Sequence, residues 1–303
     1  MTARPEPAAA SGVRIWLMAA RVRTLPAAIA PVLVGTALAG WLHVFHPLRF
    51  IAALVGAIFI QVGTNLSNDY SDARRGADTE DRLGPVRVTA GGLVPPHQVL
   101  VATYVSFGAA VLAGVYLVVV AGWQLLLVGA ASILAGVLYT GGPKPYGYEG
   151  LGELFVFLFF GIVAVAGSFF VQVRHLNWEA FALAVPVGLL ASAILVVNNF
   201  RDTDSDRRAG KRTLAVRLGR ARTRTAYAAI VYVAYLLAPV TWIFGPMKAW
   251  MLLVWLTLPL AAEIVRTVRN RTDGRSLNQA LAHTGMLQLA FCMLLSAGLL
   301  LSR

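Results

Sequence analysis

The 303-residue chain has one cysteine, Cys292, which excludes an intramolecular disulfide and any cysteine-based metal cluster. Its five histidines, at 43, 46, 97, 175 and 283, are scattered without the spacing of a zinc site. Charge is scarce as well. Only 13% of residues are charged, about half the share found in soluble domains. Acids are the scarcer sign, 14 against 26 lysines and arginines. A composition this poor in charge excludes an ordinary water-soluble enzyme. No basic segment leads into a short apolar core and an A-x-A cleavage site, so insertion through the first spanning helix, without cleavage, is expected.

What the chain has instead is apolar length. Hydrophobic residues make up 58% of it, in long blocks, and its mean hydropathy is positive. The fold class that follows is all-α, a polytopic membrane protein. Stretches of about 20 apolar residues predict nine transmembrane helices, near 25–42, 49–68, 98–120, 123–140, 151–173, 179–200, 224–244, 248–265 and 279–301. Residues 1–11 read as a disordered lead, and 12–303 as a single transmembrane domain. Residues 12–24 set Trp16, Leu17 and Met18 among Arg14, Arg21 and Arg23, the pattern of a helix lying on the membrane surface.

The positive-inside rule tests this count. With the N-terminus cytoplasmic, the predicted outer segments hold only Arg49, Arg174, Lys248 and Arg303; every other lysine and arginine falls inside. This partition supports nine spans with a cytoplasmic N-terminus and an extracytoplasmic C-terminus. It also makes the net charge of +12 one-sided, suited to membrane lipid and an anionic substrate rather than to nucleic acid.

Five of the few acids gather in two clusters at the inner ends of spans 2 and 6: Asn65-Leu-Ser-Asn68-Asp69-Tyr-Ser-Asp72 and Asn198-Asn199-Phe-Arg-Asp202-Thr-Asp-Ser-Asp206. At about 100° per residue, Asn65, Asn68, Asp69 and Asp72 share an arc of roughly 100°, and Asn198, Asn199, Asp202 and Asp206 do the same. Capping and a cation pathway are the bland readings of such residues. Four on one face, repeated four spans later, favour divalent metal held by hard oxygens. Without histidine or cysteine partners the metal is read as Mg2+ bridging to a phosphorylated substrate, with Asp69, Asp72, Asp202 and Asp206 as the catalytic acids. The echo of Asn-x-x-x-Asp suggests pseudo-duplicated four-helix units around a central cavity. Asp204 points the other way, as a solvated counter-charge. Asp78, beyond Gly76, serves equally well as metal ligand or loop cap.

Basic residues following the clusters are candidates for the diphosphate, Arg87 in a glycine-rich lid and Lys211 and Arg212 beside Gly210; Lys144, in the separate turn 139–148, is a further candidate. Membrane orientation alone accounts for most other arginines here. The turn Tyr139–Tyr148 is aromatic and suits a flat acceptor, though interfacial tyrosines are common at this depth.

The set N-L-S-N-D-Y-S-D-x-x-x-G-x-D at 65–78, Y-T-G-G-P-x-P-x-G-Y-x-G-L-G-E at 139–153 and N-N-F-R-D-x-x-x-D-x-x-A-G-K-R-T-L-A-V-R-L-G at 198–219 resembles the UbiA superfamily of intramembrane aromatic prenyltransferases. Within it, the motifs look like those of the 1,4-dihydroxy-2-naphthoate polyprenyltransferases, and Arg21-Val-Arg23-Thr24-Leu25-Pro26 is similar to their entry segment. The resemblance implies nine helices around a cavity and Mg2+ dependence. It further implies transfer from a polyprenyl diphosphate to 1,4-dihydroxy-2-naphthoate with loss of carbon dioxide, giving demethylmenaquinone. It places Asn65, Asn68, Asp69, Asp72, Asn198, Asp202 and Asp206 at the magnesium–diphosphate centre. Arg21 or Arg23 would receive the acceptor carboxylate, and Tyr139 or Tyr148 would orient its ring. One departure is Gly76, where the superfamily often has another aspartate; Asp78 is the nearest substitute. The rival readings are the same fold with 4-hydroxybenzoate, homogentisate or a porphyrin as acceptor, and a cation transporter.

Overall fold

The computed structural model describes residues 12–77, 83–84 and 86–303, and its regular structure is entirely helical among them. Residues 1–11, expected as a disordered lead, and Asp78, a candidate ligand or cap, lie outside the described residues. The short α1 (Gly12–Ala20) ends at Arg21, whose φ of 52° turns the chain into α2 (Pro26–Trp41). Proline opens α2, α3 (Pro47–Arg74) and α4 (Pro96–Ala121); its fixed φ suits helix entry and its missing N–H costs no bond there. After α5 (Gln124–Leu138) come α6 (Gly152–Val173) and α7 (Trp178–Arg201). The Asn177 side chain caps α7 by accepting from the Ala180 N–H at 3.0 Å. The short α8 (Thr203–Arg208) then leads to α9 (Leu214–Ile243), α10 (Ala249–Asn270) and α11 (Gly274–Leu301).

All nine expected spans are helical, but their count as membrane crossings changes. Among the described residues seven helices are long and apolar enough to cross, or eight if Gly12–Thr24 and α2, bent by 50°, count as one. The difference lies in α2 and α5, of 16 and 15 residues, which at about 1.5 Å per residue fall short of a ~30 Å hydrocarbon core. For α5 the cause is local. Gly122 (φ 136°) breaks the chain before it and the turn at Gly142 (φ 73°) follows it, so an apolar run of spanning length contains a shorter helix. Conversely, α9 starts ten residues before its apolar span, carrying Arg217 and Arg220 on its first turns.

The packed core lies among α2, α6, α7, α9, α10 and α11, around Phe169, Leu183, Leu190, Phe200, Tyr227 and Phe291. Cys292 is fully buried there. Two buried hydroxyl pairs, Tyr227–Thr284 at 2.7 Å and Tyr235–Thr257 at 2.6 Å, join α9 to α11 and α10. Within α6 the helix loosens into a π segment at Phe157–Val163. There Gly161 meets Gly188 of α7 so closely that a Cβ on Gly161 would stand 2.6 Å from the Gly188 Cα. Small residues of this kind let two helix backbones touch in a membrane bundle. Large apolar side chains such as Leu112, Val119, Leu236 and Leu256 face outward, as a lipid-facing belt does. The two cluster-bearing helices have matching neighbours: α3 packs along α4, and α7 along α9.

Candidate active site

Both oxygen-rich helix ends open into one cavity of about 1110 Å³. Asn65, Asn68, Asp69 and Asp72 line it from α3; Asn198, Asn199, Asp202 and Asp206 line it from α7 and α8. The helical arcs read from the sequence therefore face each other across shared space. Away from these rims the wall is apolar, with Ile60, Val115, Phe155, Phe159 and Ile194 among its residues.

Each rim is held by specific partners. Asn65 donates to the Ala20 carbonyl (3.0 Å) and Thr24 Oγ1 (3.2 Å), tying α3 to the entry segment. Asn68 Oδ1 accepts from Thr140 Oγ1 at 2.9 Å. Asp69 accepts the backbone N–H groups of Val88 (3.1 Å) and Thr89 (2.9 Å), so the lid expected after the first cluster is pinned to it. Asp72 is 1% exposed and gathers three groups: Arg87 Nη2 at 2.9 Å, Tyr148 Oη at 2.5 Å and Lys211 Nζ at 3.7 Å. Lys211 also lies 4.6 Å above the Tyr148 ring. A residue following the second cluster thus reaches a carboxylate of the first.

On the second rim Arg201 organises the acids. Its guanidinium donates to both oxygens of Asp202 (2.8 and 2.6 Å), to Asn198 Oδ1 (2.9 Å) and to Asn278 Oδ1 (2.7 Å). Asn278 in turn donates to the Leu83 carbonyl in the lid at 2.9 Å. Asp204 points away, exposed, and pairs with Arg220 at 2.7 Å; that hydrogen bond holds its carboxyl below the usual range. It is the counter-charge the helical arc assigned. Tyr139, Tyr146, Phe155 and Phe159 form a chain of ring contacts along the wall, with the Tyr146 phenol pushed up by burial.

Of the other expected residues, Arg21, Arg23, Arg87, Tyr139, Tyr148 and Lys211 line the cavity. Lys144 and Arg212 do not. Lys144 is exposed on the turn after Gly142. Arg212 contributes its backbone, donating N–H to the Tyr148 carbonyl at 2.7 Å, while its side chain is exposed. Sequence reading passed over Arg201 and Glu153, although both stand inside quoted motifs. It also passed over Asn278, for which the sequence carries no signal.

Among the described residues no three histidine, cysteine, aspartate or glutamate side chains lie close enough to form a metal cluster by themselves. The donor set still fits magnesium, a hard cation that keeps water and binds through one or two carboxylates plus substrate phosphate. The carboxylates of Asp72 and Asp202 are already engaged by cationic groups. A metal bound there would share those oxygens with Arg87, Lys211 and Arg201.

Residues 28–300 match the UbiA prenyltransferase family. The chain belongs to that family. The "1,4-dihydroxy-2-naphthoate octaprenyltransferase" of Mycobacterium tuberculosis is 43% identical over 94% of this chain and 96% of its own length. The Escherichia coli protein of the same name is 37% identical over 97% of each. A solved structure of a UbiA homolog from Archaeoglobus fulgidus bound to DMAPP and Mg2+ superposes with a TM-score of 0.69 at 12% identity, covering 95% of this chain and 99% of that one. This UbiA-family protein is thus a multi-pass membrane protein whose long apolar helices carry the site.

Proposed function

We propose that the protein transfers a polyprenyl group from an allylic polyprenyl diphosphate to 1,4-dihydroxy-2-naphthoate, releasing pyrophosphate and carbon dioxide and giving demethylmenaquinol, the hydroquinone form of demethylmenaquinone. The observation that carries this is the single cavity with two oxygen-rich rims at one end and apolar walls elsewhere, matched to a polar diphosphate head and an isoprenoid tail. The names of the bacterial relatives favour dihydroxynaphthoate over 4-hydroxybenzoate, homogentisate or a porphyrin.

Asn65, Asn68, Asp69 and Asp72, with Asn198, Asp202 and Asp206, would hold magnesium together with diphosphate oxygens. When bound, the metal neutralises charge building on the departing diphosphate. Arg87 and Lys211, both on Asp72, stand at the same rim and supply charge-assisted donors to the diphosphate. The allylic C–O bond breaks with its electron pair leaving on the diphosphate. The ring faces of Tyr139, Tyr146, Phe155 and Phe159 shelter the resulting cation from water. A naphthoate ring carbon forms the new C–C bond, and over the whole reaction the prenyl group and carbon dioxide exchange on a ring that ends aromatic. Arg21 and Arg23 at the cavity wall receive the acceptor carboxylate.

Residues 12–303 act as one domain in this reading. The basic loops favour a site on the cytoplasmic side of the plasma membrane, with the N-terminus inside and the C-terminus outside. The test is product mass spectrometry on purified protein, with isoprenoid diphosphates, a panel of aromatic acceptors, and magnesium present or withheld. A decarboxylated prenyl naphthoquinol formed only with dihydroxynaphthoate and magnesium is expected. Prenylation of another acceptor, turnover without divalent metal, or ion flux without product would overturn the reading.

A further inference from the structure

Glu153 is a buried carboxylate placed behind the cavity wall. It stands in the first turn of α6, 7% exposed, where a helix N-terminus favours negative charge. Its backbone carbonyl accepts from Ser192 Oγ of α7 at 2.9 Å, and its Oε1 accepts from Asn199 Nδ2 at 2.9 Å. Its Oε2 is buried with no hydrogen-bond partner among the described residues. The close passage of Gly161 against Gly188 holds α6 and α7 in the register that brings these groups together.

A carboxylate oxygen only accepts, so Asn199 must turn its nitrogen toward Glu153. Asn199 itself lines the cavity beside Asp202, and this orientation directs its amide oxygen to that side. Its neighbour Asn198 has its own oxygen engaged by Arg201. The geometry points to Glu153 as a positioning residue that locks the Asn199 amide oxygen toward the cavity, making Asn199 an additional oxygen ligand of the cation–diphosphate centre. This rests on the metal-dependent reading above and deepens it.

The test uses the full chain in nanodiscs and measures Mn2+ binding by electron paramagnetic resonance with a non-reacting geranyl thiolodiphosphate. Glu153→Gln frees the amide to turn over, and Mn2+ affinity is expected to fall about ten-fold, the lower end for loss of a group that orients a metal ligand, with helicity unchanged. Asn199→Asp presents an oxygen in either orientation but sets two carboxylates against each other; alone it is expected to bind Mn2+ more weakly than wild type. Paired with Glu153→Gln it should bind more tightly than either single variant, a rescue that a merely structural role would not give. Wild-type affinity in folded Glu153→Gln, or no rescue in the double variant, would overturn the assignment. Should Glu153→Gln not fold, Asn199→Ala decides: an unchanged affinity overturns it. No Mn2+ binding by the wild type would instead overturn the metal reading itself, and this inference with it.

Discussion

At the scale of single residues, Asp72 concentrates the energetics of the site. It is nearly inaccessible and paired with a buried arginine, so removing it strands a charge. Asp72→Ala is expected to lower stability by about 3–5 kcal/mol, read as a fall in unfolding temperature in detergent, and to abolish prenyl transfer. Asp202→Asn keeps the shape but removes a charge facing Arg201; a loss of at least about 100-fold in turnover is expected, and full activity would remove the second rim from the chemistry. Asp204 is the control. Its carboxyl is held low by Arg220, so whatever stability it adds is present above the unfolded carboxylate pKa and lost as pH falls through the lower folded value. Asp204→Asn should leave activity at neutral pH unchanged and flatten only the acid side of the stability curve. The two acidic clusters were legible because spacing alone aligns their residues on one face. Glu153 and Asn199 are 46 positions apart, and nothing in local periodicity joins them. Arg212 was drawn in by closeness along the chain to the second cluster, and Lys144 by its place in the aromatic turn; a backbone hydrogen bond and that turn leave their side chains exposed.

At the scale of elements, apolar runs placed nine helical stretches, because a membrane bundle must satisfy its backbone internally wherever lipid surrounds it. Helix length was less legible. The ends of α5 are set by backbone conformations at Gly122 and Gly142 that lie inside or beside an uninterrupted apolar run. The contact between α6 and α7 was not legible at all, since Gly161 and Gly188 look alike with any other glycine in an apolar span. It carries a sharp expectation. Gly161→Leu has no room against the Gly188 backbone and should cost about 1–3 kcal/mol through overpacking, seen in thermal unfolding. It should also reduce turnover, because the same two helices set Asn199 against Glu153.

At the scale of the whole molecule, the two rims belong to matching helices, α3 and α7, and converge on a shared cavity. Lys211 and Asn278 span the gap between them, one reaching Asp72 and the other joining Arg201 to the lid. The one-sided basic charge predicts how this assembly sits in the bilayer. Because Cys292 is fully buried, single introduced cysteines report on topology. Leu176→Cys should react with an impermeant maleimide from outside right-side-out vesicles, and Thr272→Cys only after the membrane is opened; the reverse pattern would invert the orientation. The most direct measurement of the central claim is a structure with Mn2+ and geranyl thiolodiphosphate, using the anomalous signal of manganese. Manganese and diphosphate between the α3 cluster and the α7–α8 cluster, touched by both, is the result expected. Metal bound to one cluster alone, or diphosphate seated away from both, would contradict it.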